Sequence, residues 1–349
     1  MAAESGRYTV KSCVRSRFSS EMFRGISTNV TAGISERFAP RRIYSLGWIM
    51  MDSELPGTLN VDNFEMRFAD ISSVEISRLQ ALSISVGWPH RAADWQHLLD
   101  IGKGYVALDE IGRVGASGMW FPHGDGFATF GMLITSPRLQ ANGAARWLMK
   151  RIMTDCGRNR IRLNSTREAQ RLYASLGLKP KQTVYQYQGT AIAPLAPPPL
   201  EKGLFLRRLD RGDLDTMIAF DAPAFGADRS LHLLRLFESS ICYGLYQGER
   251  LRAFSMRRRF GRGHVVGPVV AGNDEDAITV THPHIAAHAD GFLRVDTHFD
   301  SGPFAGLIQQ CGLSIYATLT TMVTEEAASY GAGQNGRARV YALASHSLG

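Results

Sequence analysis

Between residues 191 and 203 the chain carries Pro194, Pro197, Pro198 and Pro199. Proline fixes φ and has no N–H to donate, so this stretch fits neither a helix interior nor a central strand. It reads as an extended, semi-rigid linker. The Pro194–Pro197 spacing also suits a PxxP ligand, but a linker is the simpler reading. After it the plan of the chain starts again. Met66-Arg67-Phe68-Ala69-Asp70 has a counterpart in Leu206-Arg207-Arg208-Leu209-Asp210, and Leu176-Gly177-Leu178 has one in Cys311-Gly312-Leu313. These local matches are weak, and the order of elements carries the argument for a duplicated α/β domain.

In the first half, Phe64–Phe68 alternates like a strand, and Ile71–Val86 has a helical apolar period. Arg91–Ile101 reads as a second helix. Strands are expected at Gly104–Leu108, Val114–Phe121 and Phe127–Thr135, the last two joined by the turn His123-Gly124-Asp125-Gly126. A helix follows at Ala144–Cys156, a strand at Ile161–Ser165, a helix at Glu168–Leu176 and a strand at Thr183–Gln188. In the second half, strand-like runs recur at Tyr243–Tyr246, Ala253–Arg257, Val265–Val270, Phe292–Thr297 and Ser314–Met322.

Charge bears on possible partners. The net charge of +7 invites a nucleic-acid reading. Residues 1–52, however, hold eight Lys/Arg against four Asp/Glu, more than half of that excess. Residues 1–60 show no sustained period and read as a disordered extension, faintly like a transit peptide; Met50 or Met51 is an alternative start. No nucleic acid is therefore expected as partner. No apolar run suits a bilayer, so no membrane association is expected. Cys13, Cys156, Cys242 and Cys311 form no CxxC pair, which fits a reducing cytoplasm.

The stretch Gly131–Leu148 carries the chemistry. A strand runs through a short loop into a helix that opens at about Gly143. A helix N-terminus presents free N–H groups to a phosphate. Gly143, Ala144 and Ala145 are small enough for a pyrophosphate to approach the main chain, and Arg138 or Arg146 is placed to pair with it. A close helix–strand contact that merely needs small residues is the rival reading of this stretch alone.

Gln140-Ala141-Asn142-Gly143-Ala144-Ala145 resembles the acetyl-CoA signature of the GNAT superfamily of N-acetyltransferases, Gln/Arg-x-x-Gly-x-Gly/Ala. Thr166 to Leu178 resembles its closing signature, Asn-x-x-Ala-x-x-x-Tyr-x-x-x-Gly-Phe, with Ala169, Tyr173 and Gly177 in place. Thr166 stands where the family often has an Asn that contacts pantetheine, and Leu178 stands for Phe. The resemblance covers about residues 64–189. It implies an α/β fold of two tandem GNAT-like domains, each a mixed, mostly antiparallel sheet flanked by helices. It implies acetyl-CoA as co-substrate, with Leu133 and Thr135 binding the pantetheine and acetyl group through their main chains. Arg138, Gln140, Asn142, Gly143, Ala144, Ala145 and Thr166 complete the cofactor site. Tyr173 takes the family's general-acid role; a core aromatic is the rival reading. No general base is evident: Asp125, His123, Asp109 and Glu110 read as turn residues or solvated charges. Trp88 lines the acceptor site or belongs to the core.

The second half lacks these features. Aligning Gly267 on Gly131 places Gly272-Asn273-Asp274-Glu275-Asp276 in the phosphate loop, Thr279 at Gly143 and Ile308 at Tyr173. Three acids there would repel a diphosphate. Ala224-Phe225-Gly226-Ala227-Asp228-Arg229 resembles a recurrent motif in C-terminal domains of tandem acetyltransferases. His284 and His288 share an i, i+4 face beside His282, without a suitable third ligand, so no metal is expected and the histidines read as surface residues. Arg257-Arg258-Arg259 reads as a solvated edge.

The expected organisation is an extension (1–60), a catalytic domain (61–190), a linker (191–203) and a degenerate domain (204–349) that shapes the acceptor cleft or a homodimer surface. The expected activity is transfer of acetyl to a small amine. A protein N-acetyltransferase and a non-catalytic acetyl-CoA-binding regulator remain open.

Overall fold

The computed structural model describes residues 56–349 apart from 62–63, 125, 198 and 328–337. The expectations for residues 1–52 and for Asp125 lie outside the described residues. The first half contains β1 (Thr58–Val61), β2 (Phe64–Asp70), α1 (Ile76–Ser85), α2 (Ala92–Ile101), β3 (Lys103–Leu108), β4 (Val114–Pro122) and β5 (Phe127–Thr135). It continues with α3 (Ala144–Cys156), β6 (Arg160–Ser165), α4 (Gln170–Ala174) and β7 (Lys179–Thr190). The second half contains β8 (Leu204–Arg208), α5 (Leu214–Phe225), α6 (Ser230–Glu238), β9 (Ser240–Gln247), β10 (Arg250–Phe260) and β11 (Gly263–Ala271). It ends with α7 (Asp274–Ala286), β12 (Phe292–Thr297), α8 (Gly302–Gln310), β13 (Ser314–Val323) and β14 (Arg339–Ala342). The element order repeats across the linker, as the sequence predicts.

Several strands run longer than expected, and β1 begins at Thr58, inside the stretch expected to be a disordered extension, because Thr58–Val61 pairs antiparallel with Phe64–Arg67. Two helices differ for local reasons. The helix expected from Ile71 begins at Ile76, because the Asp70 carboxylate accepts from Ser72 N at 2.8 Å and closes a short 3-10 turn first. The helix expected over Glu168–Leu176 is the shorter α4. Helix α3 matches its expected bounds; Trp147, Leu148 and Ile152 fill its buried face, and Gly143 and Gly157 bracket it in left-handed conformation.

All the strands among the described residues join one sheet, in the order β1-β2-β3-β4-β5-β6-β13-β7-β12-β11-β10-β9-β8, with β14 on β11. Pairing is antiparallel except for β5 with β6 and β11 with β12. The halves exchange their last strands. β13 of the second half inserts between β6 and β7 of the first, and β7 pairs with β12 along Tyr185–Thr190. On one face, α1 and α2 share a core with α5 and α6, in which Leu79, Trp95 and Leu98 join Met217, Leu233 and Phe254. The opposite face carries a separate core in each half, under α3 in the first and under α7 and α8 in the second. No helix among the described residues is long and apolar enough to cross a membrane.

Two surface expectations are corrected. Arg257 and Arg258 are buried, because β10 lies inside the sheet between β9 and β11. Arg258 donates to the carbonyls of Gly267 and Ala344 at 3.1 and 2.8 Å, and burial pushes its pKa down to about 10. His282 and His284 are buried too: His284 Nε2 lies 2.9 Å from Ser255 Oγ, and His282 Nε2 lies 2.7 Å from the Leu195 carbonyl.

The Ala224–Arg229 motif has a structural role. Gly226, at φ 91°, ends α5, and Arg229 turns back to pair with Asp221 at 2.7 and 2.8 Å, both side chains 1% exposed. Removing one partner strands a buried charge. Arg229→Met is therefore expected to cost about 3–5 kcal/mol in urea unfolding. An unchanged unfolding midpoint would show that Asp221 finds another partner.

Candidate active site

Strands β5 and β6 pair only from Phe127 to Phe130, opposite Arg160 to Leu163, and then diverge. At the divergence β5 carries a bulge. Met132 has φ 52°, the register on β4 shifts between Ser117 and Met119, and Ser117 Oγ holds the Met132 carbonyl at 2.9 Å. Past the bulge, Leu133 and Thr135 have no β6 partner, so the β6 side of the strand opens into a wedge whose main chain is not taken up by sheet pairing. Such an edge can hydrogen-bond an extended amide-bearing ligand.

The wedge leads to the loop 136–143. Gln140 Nε2 donates to the Thr135 carbonyl at 3.3 Å and folds the loop onto the end of β5. Ala141 (φ 70°) and Gly143 (φ 82°) both adopt left-handed conformations just before α3. Nothing lies within 4 Å of a Cβ placed on Gly143, so the mouth of the helix is open. Arg138, Gln140, Asn142 and Gly143 are exposed around it, while Ala144 is buried and Ala145 half-buried at the helix start. This gathers the expected phosphate-binding residues at one helix N-terminus. Arg146 instead donates to Ser175 Oγ at 2.7 Å.

Tyr173 is buried on α4, in the same core cluster as Leu148, Leu163 and Leu178. Its hydroxyl has no hydrogen-bond partner among the described residues, and burial raises its pKa. It is a protonated phenol at neutral pH, the form a proton donor needs. Thr166 lies at the end of β6, near the start of α4.

On the other face the wedge is closed by the segment after β14. Ser347 packs on Gly131, where a Cβ would meet the Ser347 carbonyl at 2.8 Å, and Asn164 Nδ2 donates to the His346 carbonyl at 2.8 Å. Beside it a cavity of about 430 Å³ opens between the halves. Trp88, Thr166 and Glu168 line it from the first half, and Phe260, Arg294 and His346 from the second. Trp88 thus faces this cavity while packing on the shared core. His123 and Asp109 are committed elsewhere. His123 Nε2 lies 3.0 Å from Thr129 Oγ1, with burial holding its pKa well down, and Asp109 pairs with Arg113 at 2.7 Å. Glu110 accepts from Glu65 N. The cavity residues Glu168, Arg294 and His346 were missed in sequence, where nothing links positions so far apart.

The second half repeats the frame without the opening. β11 and β12 pair only at His264 and Val265 and then diverge. There the gap is filled: β14 pairs with β11 from Val269 to Ala271, and Leu343 N donates to the Asp296 carbonyl at 2.7 Å. The phosphate loop is reduced to Gly272 and Asn273. The alignment of Thr279 on Gly143 is therefore corrected, since Asn273 caps α7 by accepting from Asp276 N at 2.8 Å. Asp274 and Asp276 pair with Arg339 and Arg252, and Ile308 is buried in the core.

Residues 114–196 and 217–334 each match a family model described as an acetyltransferase (GNAT) domain. The chain is a tandem-domain member of the GNAT acetyltransferase family. Among solved structures, it is similar to a Pyrococcus horikoshii protein designated an acetyltransferase, with 15% identity, TM-score 0.65 and coverage of 83% of this chain and 98% of that one. It is also similar to a tandem GNAT protein from the clavulanic acid biosynthesis pathway, with 12% identity, TM-score 0.56 and coverage of 74% and 98%. A GCN5-related N-acetyltransferase from Sphaerobacter thermophilus shows 13% identity, TM-score 0.56 and coverage of 76% and 96%. At these identities the likeness concerns the fold. No curated protein matches the chain. The GNAT domains make it an acyl-transferring enzyme. Among the described residues, no three His, Cys, Asp or Glu side chains gather as metal ligands.

Proposed function

We propose that the chain transfers acetyl directly from acetyl-CoA to the primary amine of a small molecule, in the first half only. The carrying observation is the open wedge past the β5 bulge, leading to the exposed loop at the α3 N-terminus; the second half fills the same wedge with β14. In this reading Leu133 and Thr135 hold the pantetheine and acetyl carbonyl through main-chain hydrogen bonds. Arg138, Gln140, Asn142, Gly143, Ala144 and Ala145 surround the pyrophosphate, and Thr166 lies beside the pantetheine arm. The neutral amine attacks the thioester carbonyl. The C–N bond forms, the C–S bond breaks, and Tyr173 gives its proton to the leaving sulfur while the amine proton passes to solvent. The cavity between the halves supports a small acceptor. Buried Cys242 and Cys311, kept as free thiols, support a cytoplasmic setting.

Calorimetry with acetyl-CoA is expected to give one site per chain. Two equivalent sites would overturn the assignment of the second half. Absence of CoA release across a broad amine panel, with acetyl-CoA still bound, would favour a non-catalytic binding role.

A further inference from the structure

The cavity between the halves has an uneven supply of hydrogen-bond donors. Arg294 on β12 donates through Nε and Nη2 to Asp296 at 2.8 and 2.7 Å. Nη2 also lies 2.6 Å from His346 Nδ1. A guanidinium has no lone pair to offer, so Nδ1 must accept and the imidazole proton must reside on Nε2. That Nε2 is buried without a partner among the described residues. Arg294 Nη1 likewise has no partner among them. Burial, followed by the neighbouring guanidinium, pushes the His346 pKa down to about 3, so the ring is neutral at neutral pH, and the contact with Arg294 selects its tautomer. An unmet buried donor is costly unless a ligand or an ordered water supplies the acceptor.

Charge in the rest of the lining agrees. Arg167 and Arg262 are exposed in the lining, and Glu168 is the one carboxylate among the lining residues. Thr166 and Glu168 mark the side next to the wedge. Trp88, Phe260 and Phe292 give the cavity apolar walls.

We infer that this cavity binds the acceptor as an amine bearing a carboxylate, with His346 Nε2–H and Arg294 Nη1 donating to the carboxylate. The amine then lies on the Thr166 and Glu168 side, toward the thioester. The inference rests on the acetyl-transfer reading of the first half. A planar carboxylate accepts two donors side by side, and the aromatic walls suit an apolar body.

The test uses the full chain and matched probes: the common amino acids, their primary amides, and the corresponding decarboxylated amines. CoA release gives kcat/KM, and calorimetry without acetyl-CoA gives binding. Carboxylates are expected to exceed their amides by about 10–100-fold in kcat/KM. His346→Phe keeps a ring but removes the donor, and should abolish that preference while leaving the Kd for acetyl-CoA unchanged. Arg262→Gln, at an exposed position, should reduce the preference without endangering the fold. Equal or better use of amides or polyamines would overturn the inference. So would phosphoethanolamine outcompeting β-alanine, which would assign the donors to a phosphate. If no probe is acetylated and acetyl-CoA does not bind, the acetyl-transfer reading fails; calorimetric preference for carboxylates, and its loss in His346→Phe, still decides the cavity.

Discussion

Replacing Tyr173 with Phe is expected to lower kcat by about 10²–10⁴-fold, the range of general-acid assistance. The ring stays in its core cluster with Leu148 and Leu163, so packing and melting temperature should barely move. The hydroxyl has no hydrogen-bond partner among the described residues, so its removal strands no buried group there. The Kd for acetyl-CoA should hold, because the loop at Gln140–Ala145 and the main chain of β5 past its bulge are untouched. The loss should shrink with an acyl donor whose leaving group needs no proton. Wild-type turnover by Tyr173→Phe with a good acceptor would make Tyr173 a packing residue. A fall in stability matching the fall in rate would point the same way.

The parts of the candidate site that local sequence sets were legible as positions in the fold. Gly143 and Gly157 bracket α3 as their positions suggest, and Tyr173 lies one turn before Gly177 on the last helix of the first half. What was not legible depends on pairing between distant strands. β7 and β13 have similar alternation, and nothing in either names its neighbour; their exchange follows from the common sheet. Arg257-Arg258-Arg259 resembles a solvated run because charge normally seeks water. Arg258 is buried only because the carbonyls of Gly267 and Ala344 converge on it from 9 and 86 residues away. The donor pair of the cavity joins Arg294 to His346, 52 positions on. The closing segment has no periodicity of its own, yet it walls the first wedge while β14 fills the second.

Acid is expected to unfold this protein far above the pH at which its carboxylates titrate. His90, His232 and His284 are each less than 9% exposed, and each has at least one buried ring nitrogen without a partner among the described residues. Burial is the leading cause that lowers their pKa values from 6.5, to about 4 for His90 and about 3 for His232 and His284. Below pH 6.5 the unfolded chain therefore binds protons that the folded chain refuses. Stability is full above that pH and falls steadily as pH drops toward the folded values. At pH 5.5 each histidine is expected to cost about 1.4 kcal/mol, so the three together cost about 4 kcal/mol. That is a large share of a typical domain's 5–15 kcal/mol. Carboxylates act in a lower window: Asp213, held down to about 2 chiefly by its hydrogen bond to Arg207, contributes stability that is lost only below the ordinary carboxylate range. Urea midpoints measured at pH 7.5, 6.5 and 5.5 should fall sharply over the last step. His232→Gln should lessen the loss at pH 5.5 by about 1.4 kcal/mol, because the amide does not titrate there. Midpoints that stay level from pH 7.5 to 5.5 would mean that these imidazoles accept protons inside the fold.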